Sequence, residues 1–317
     1  MNESLSDATE VGLAVAVVLD GCVELHLRGQ ARPGEAVQAD DTFAWGSITK
    51  TVTAALLALL AADGVVGLDQ PLSELLPGAP PLALADLASH TAGLPRLLPS
   101  PWSYVRSHDA GDPYATEDAD RLLAALARTR LRSPRVRYSN AGAGLLGLAL
   151  VTATGRAYAE LVRDHVATPL GLTTLSTAEP TAQGHDRRRR PVPPWHFSDA
   201  VAGCGAVTGS VRDLARWVLA AGGEAPEPLG AALRTATTAR AGDRRAWIGL
   251  GWHGSVLGGP AGFRSPSEGE QPVWWHNGAT NGFAAFAGHD SATGRGVAVL
   301  SNTARSVDAF AVELLRG

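Results

Sequence analysis

Hydrophobic positions run along the chain in two rhythms. VGLAVAVVLDG (Val11 to Gly21) and CVELHLRG (Cys22 to Gly29) are rich in strand-forming residues, and Asp20-Gly21 between them predicts a β-hairpin. ARPGEAVQADD follows and reads as a loop. FAWGSITKTVTAALLALLAADG then turns Ala- and Leu-rich and stops at Gly64, a glycine suited to a helix C-cap, which predicts a helix from about Ser47 to Asp63. From Gly67 to about Pro194 short helical runs alternate with Pro and Gly turns: LSELLP, LALADLASHTAG, TEDADRLLAALART, NAGAGLLGLALVTATG and YAELVRDHVATPLG. After Ala202 comes one more helix, VRDLARWVLAAGG. Strand-like pieces return in AWIGLGWHG, PVWWHNG, GFAAFAGHD and GRGVAVLSN, and SVDAFAVELLRG closes the chain as a helix.

Strands at both ends and helices between them predict an α/β (α+β) protein. Its antiparallel sheet is formed from both chain termini and flanked by helices, with a mostly helical lobe inserted. The expected division of a single catalytic unit is an α/β lobe over about 1–66 and 200–317 and a helical lobe over about 67–199. The sequence shows no internal repeat or low-complexity segment.

Composition narrows the possible chemistry. The chain has 317 residues, 45% hydrophobic and 18% charged, with a formal charge of -4. That is enough apolar material for a large core, and the charge gives no reason to expect nucleic-acid or anionic-membrane binding. The basic run Arg187 to Arg190 is expected to be an exposed loop. Cys22 and Cys204 cannot form a disulfide framework or a paired zinc site. His26, His253 and His289 lack metal-ligand spacing, so neither metal nor cofactor is expected. The opening MNESLSDATEVG has no basic-then-apolar leader pattern and no apolar run reaches membrane length, which gives the expectation of a cytoplasmic protein. The sequence carries no mark of oligomeric state.

Three short motifs can carry chemistry. In Ser47-Ile48-Thr49-Lys50 the serine and lysine share one face of a helix, so the amine can reach the hydroxyl. A serine needs such a base to become a nucleophile, although the same pattern fits an N-cap serine. Tyr138-Ser139-Asn140 offers a phenol for proton transfer and an amide to orient a carbonyl or the lysine. It reads equally as a packed tyrosine with an Asn N-cap. Trp275-His276-Asn277-Gly278-Ala279 reads as a strand entering a glycine turn. Gly278 would let a substrate lie close to the backbone, and a strand N–H could bind an oxyanion. No Gly-x-Ser-x-Gly elbow and no phosphate loop are present.

In this order the motifs resemble those of the penicillin-binding protein and serine β-lactamase superfamily: Ser-x-x-Lys, then Tyr-x-Asn, then Lys-Thr-Gly or His-x-Gly. The likeness extends through FAWGSITKTVTAALLALLAADGVVGLDQPLSELLP, LALADLASHTAGLP, YSNAGAGLLGLALVTATG, AGCGAVTGSVRDLARW and IGLGW. Those segments are similar to the class C β-lactamase-related esterases and D-aminopeptidases. The resemblance implies Ser47 as the acylated nucleophile, with Lys50 and Tyr138 as acid/base groups. It also implies Asn140 as a ligand of the substrate carbonyl or of Lys50, and His276 in the place of the third-motif lysine. The backbone N–H groups of Ser47 and Ala279 would form the oxyanion hole. His90, in SHTAGLP, reads as structural.

Two departures shape the expected substrate. His276 stands where penicillin-recognising members carry a lysine that binds a carboxylate, and a mostly neutral imidazole binds one less well. Asn277 also replaces a threonine hydroxyl. Both point toward neutral esters or amides and away from β-lactams. The partner expected is thus a small ester or amide, with rival readings as an acyltransferase or amide-forming enzyme, a D-amino-acid peptidase or β-lactamase, and a non-catalytic binding protein. Trp252, Trp274 and Trp275 are candidates for an acyl pocket or for core.

Overall fold

A computed structural model describes residues 10–98, 112–243, 246–258 and 262–317. The hairpin falls where the turn pair places it. Strand β1 (Gly12–Leu19) pairs antiparallel with β2 (Cys22–Arg32), and Asp20 and Gly21 both take positive φ, as a tight hairpin turn requires. The loop expected after β2 holds a short strand, β3 (Glu35–Ala36), and β4 (Phe43–Ala44) pairs with β5 (Thr208–Gly209) in a separate small sheet. Strands β6 (Ala241–Gly242), β7 (Trp247–Ile248), β8 (His253–Leu257), β9 (Phe263–Arg264), β10 (Val273–Thr280), β11 (Phe283–Asp290) and β12 (Gly296–Ser301) complete a ten-stranded antiparallel sheet. Its order is β3-β2-β1-β12-β11-β10-β8-β7-β6, with β9 on β8. Joining β1 to β12 places the two ends of the chain side by side, as the sequence order predicts.

The sheet is covered on both faces, which is why β1 reads as an unbroken apolar run. Ala14, Ala16, Ala285, Ala287 and Ala298 lie in one core cluster with the helices Thr49–Ala62 and Val211–Leu219. Leu13, Val15, Val17, Phe286, Val297 and Val299 lie in another with the C-terminal helix Asp308–Arg316. Period-two alternation therefore sends successive side chains of each strand to opposite faces, as on β1, where Ala14 and Ala16 join the first cluster and Leu13, Val15 and Val17 the second.

Some boundaries differ from those predicted. The expected Ser47–Asp63 helix opens as a 3-10 turn, Gly46–Ile48, and becomes α-helical at Thr49–Ala62, with Gly64 at φ +71 beyond its end. AWIGLGWHG is two strands, because Gly251 at φ +70 turns the chain between them. The helix Leu229–Ala236 was not predicted: it lies in Pro- and Gly-rich surroundings that mask its period. YAELVRDHVATPLG is helical but contains a π-type turn at Arg163–Ala167. Among the described residues no single helix is long and apolar enough to cross a membrane.

Candidate active site

The Thr49–Ala62 helix is buried on every side from Thr49 to Leu60, so its polar groups must find partners inside the protein. Thr49 Oγ1 accepts from the Val207 N–H at 3.0 Å, and Thr51 Oγ1 accepts from Trp217 Nε1 at 2.9 Å. Thr53 Oγ1 donates to the Gly203 carbonyl at 2.8 Å. Thr49 and Thr53 lock the helix against the 203–207 segment and Thr51 ties it to Trp217, which together fix the position of Ser47 and Lys50. Lys50 is the one lysine in the sequence; every other basic side chain among the 27 Lys and Arg residues is arginine. Arginine cannot give up its proton in a protein, whereas lysine can. The buried Lys50 Nζ donates to Ser47 Oγ at 2.9 Å and to the Cys204 carbonyl at 2.8 Å.

The Cys204 carbonyl reaches Lys50 because two glycines meet. A Cβ on Gly203 would lie 2.9 Å from Gly147 Cα and 2.6 Å from the Ala143 carbonyl. The Gly/Ala-rich face of the Asn140–Thr154 helix thus lets the 202–204 turn in closely. Ser139, not Asn140, caps this helix: its Oγ accepts from the Gly142 N–H at 2.9 Å and donates to the Pro95 carbonyl at 2.6 Å.

Tyr138 stands beside the pair. Lys50 Nζ lies 5.0 Å from its ring centroid, and the His90, His276 and His253 rings lie 4.7, 6.0 and 6.3 Å away. Burial is the first cause pushing down the pKa of all three imidazoles, to about 4 for His253, so the group is neutral at pH 7. His90 holds the tyrosine segment in place, its carbonyl accepting from the Arg137 N–H at 2.8 Å and its Nδ1 from the Ser139 N–H at 3.3 Å. That agrees with the structural role expected for it.

Strand β10 closes the site from the other side. A Cβ on Gly46 would sit 2.8 Å from Ala279 N, and one on Gly278 would sit 2.0 Å from the Trp45 carbonyl oxygen. The glycine at 278 is therefore required by the Trp45 backbone rather than by a substrate. Ser47, Tyr138, Asn140, Gly278 and Ala279 all line one open cavity of about 460 Å³.

Other candidates sit elsewhere. His276 is fully buried, with Nδ1 tied to the Asn277 carbonyl oxygen at 2.6 Å, and it does not line the cavity; His253 does. Asn140 does not hold Lys50: its Nδ2 donates to Tyr114 OH at 2.9 Å. Its Oδ1 and the Thr280 Oγ1, both in cavity-lining residues, are buried with no partner among the described residues. Asn277 donates through Nδ2 to Asp308 at 2.8 Å. Of the three tryptophans, Trp252 and Trp274 belong to the core, and Trp275 lines a second cavity rather than the Ser47 cavity. Trp252 stacks on Trp217 in the core, Trp274 packs over Gly254, and Trp275 stacks on Phe263 at 4.6 Å. The aromatic wall is instead Tyr114, Trp195 and Phe197, with Tyr114 centred 5.6 and 4.8 Å from the other two rings. Sequence reading missed these residues and His253, Thr280 and Arg96. Arg96 directly follows the SHTAGLP segment and could have been found there. Tyr138 and His253 also border a second cavity, of about 940 Å³, lined by Trp275 and Phe263. Among the described residues no group of His, Cys, Asp and Glu is arranged to hold a metal.

Residues 2–316 match the Beta-lactamase family. The chain is 29% identical over 221 residues to the D-alanyl-D-alanine-carboxypeptidase/endopeptidase AmpH of Escherichia coli (strain K12), covering 65% of this chain and 56% of that one. It thus spans little more than half of that relative's length. Esterase EstB of Burkholderia gladioli is 28% identical over 354 residues, covering 96% of this chain and 88% of the esterase. The class C β-lactamase of Rhodobacter sphaeroides superposes with a TM-score of 0.85 at 24% identity, covering 99% and 97% of the two chains, a likeness that shows the fold. The family match over almost the whole length, and the fold shared with class C β-lactamases, make this chain a member of the Beta-lactamase family of serine hydrolases.

Proposed function

We propose that the protein hydrolyses a carboxylic ester or amide through an acyl-enzyme on Ser47. The observation that carries this is Lys50 Nζ, the chain's one lysine amine, within hydrogen-bond distance of Ser47 Oγ and braced by the Cys204 carbonyl, with Ser47 itself in the wall of an open cavity. Ser47 Oγ attacks the substrate carbonyl while the Lys50–Tyr138 pair takes its proton. The developing oxyanion is held by the backbone N–H groups of Ser47 and Ala279. The pair then returns the proton to the leaving group, and water cleaves the acyl-enzyme. Two cavities that meet at Tyr138 give the two halves of the substrate separate places beside the proton donor.

An ester is favoured over a β-lactam because the third-motif position offers no cation: His276 is buried and neutral, and Asn277 is engaged by Asp308. The likeness to esterase EstB along nearly the full chain supports the same choice. The test is turnover of p-nitrophenyl acetate, D-alanine p-nitroanilide and nitrocefin by wild type and Ser47→Ala. Ester turnover that vanishes in Ser47→Ala, with nitrocefin slow, is expected. Ester turnover that persists in Ser47→Ala, or nitrocefin as the fastest of the three, would refute the reading.

A further inference from the structure

The third-motif strand offers a substrate no cation, whereas another part of the cavity wall carries one. Among the described residues Arg96 is the one charged side chain that lines the Ser47 cavity, and no carboxylate lines it. The Arg96 guanidinium lies 5.3 Å from the Tyr138 ring centroid, and Lys50 Nζ lies 5.0 Å from the same centroid. A substrate seated at Ser47 therefore shares the Tyr138 ring as a neighbour with Arg96. Among the described residues the Arg96 side chain is in no ion pair, although arginines elsewhere on this surface are paired, as Arg264 is with Glu270 and Arg190 with Asp186.

The backbone at this point is held firmly. The Arg96 carbonyl accepts from the Asn140 N–H at 2.9 Å and from the Ala141 N–H at 3.2 Å, which ties residue 96 to the start of the Asn140–Thr154 helix. The side chain is thus projected from a fixed base, next to Tyr138 and Asn140, and is exposed so that its charge remains available. A guanidinium on a rigid base, with no carboxylate partner among the described residues, is suited to bidentate recognition of a carboxylate.

We propose that Arg96 is a specificity-determining residue that selects substrates whose acyl or leaving group carries a carboxylate, bound beside Tyr138 and Asn140. This rests on the acyl-enzyme reading given above. It relocates the anion site from the third-motif strand, where the buried His276 leaves none, to the turn that follows SHTAGLP.

The test compares p-nitrophenyl hydrogen glutarate with p-nitrophenyl valerate, esters of similar length that differ by one carboxylate. Wild type is expected to favour the glutarate by about 10- to 100-fold in kcat/KM, the worth of one charge-assisted hydrogen-bonded pair, mainly through a lower KM. Arg96→Gln is expected to bring the ratio close to one, and Arg96→Lys to keep part of it. Arg96→Glu is expected to reverse the preference in favour of p-nitrophenyl 5-aminovalerate, which a purely structural arginine would not do. Rising salt should shrink the wild-type ratio. Equal rates in wild type, or a preference that survives Arg96→Gln, would overturn this proposal while leaving the esterase reading intact. Turnover of neither ester, with no fluorophosphonate adduct on Ser47, would refute the acyl-enzyme reading and this proposal with it.

Discussion

Replacing Gly278 with alanine tests how the two halves of the site are joined. The added Cβ would lie 2.0 Å from the Trp45 carbonyl oxygen and 3.0 Å from its carbon, both backbone atoms, whereas ordinary contact begins at 3.4 Å. Relief requires β10 and the Trp45–Ser47 turn to part by about 1.4 Å, the difference between 2.0 and 3.4 Å. Neither side is free to move. Strand β10 lies between β11 and β8, and the turn leads into a helix buried from Thr49 to Leu60. The Ala279 N–H assigned to the oxyanion is one residue from the added methyl. Losing one such donor costs about 10²–10³ in kcat, and a misplacement of about 1 Å costs roughly 10². Overpacking adds about 1–3 kcal/mol of destabilisation. Ester turnover measured well below the melting temperature, together with a thermal melt, separates the two effects. Gly278→Ala is expected to stay folded at the assay temperature with kcat down at least 100-fold. Gly67→Ala is the control: its Cβ would meet only Gln70, at 3.5 Å or more, and rate and melt should match wild type. A Gly278→Ala enzyme within about threefold of wild-type kcat would refute the claim that this close approach sets the oxyanion donor.

Lys50→Met is expected to lower kcat by about 10³-fold or more and to destabilise the fold by about 1–3 kcal/mol, because the Cys204 carbonyl loses its buried donor; steady-state kinetics and a urea titration check both. The His253 imidazole, with its pKa depressed to about 4 from 6.5, is neutral in the fold and protonates more readily in the unfolded chain. Its contribution is therefore complete above pH 6.5 and is lost as pH falls toward 4, by roughly 3 kcal/mol, with His90 and His276 acting in the same direction. Urea midpoints should fall from pH 7 to pH 5 and fall less steeply in His253→Gln; an equal slope in that variant would contradict the assignment. Cys22 is exposed and Cys204 buried, with burial raising the thiol pKa of the latter, so a disulfide reagent should titrate one thiol rapidly in the native protein and both in urea. Two fast thiols in the native protein would contradict that packing.

The hairpin, the sheet built from both termini and the Ser47–Lys50 pair were legible because each is encoded locally, by a turn pair, a run of strand formers or a helical spacing. What escaped depends on distant chain segments. Trp195 and Phe197 line the cavity only because the chain after Pro194 passes Tyr114, and nothing near them in sequence marks that meeting. The Gly278 signal was read correctly as close approach, but the approaching group is the Trp45 carbonyl, more than 200 residues earlier in the chain. Asn140 was expected to bind a substrate carbonyl or to hold Lys50; its Nδ2 meets Tyr114, a residue 26 positions away, rather than Lys50. One signal was present and unused: a chain with 27 basic residues that keeps a single lysine, at position 50, marks the site where a removable proton is needed.

The central claim is a covalent acyl group on Ser47. Rapid acid quench of the enzyme with p-nitrophenyl acetate, followed by mass mapping of the peptide that contains Ser47, tests it most directly. An added acetyl mass on Ser47 that builds within one turnover, decays as substrate is exhausted and is missing from Ser47→Ala is the predicted result. Wild-type turnover with Ser47 unmodified throughout, or the acetyl group on another residue, would contradict it.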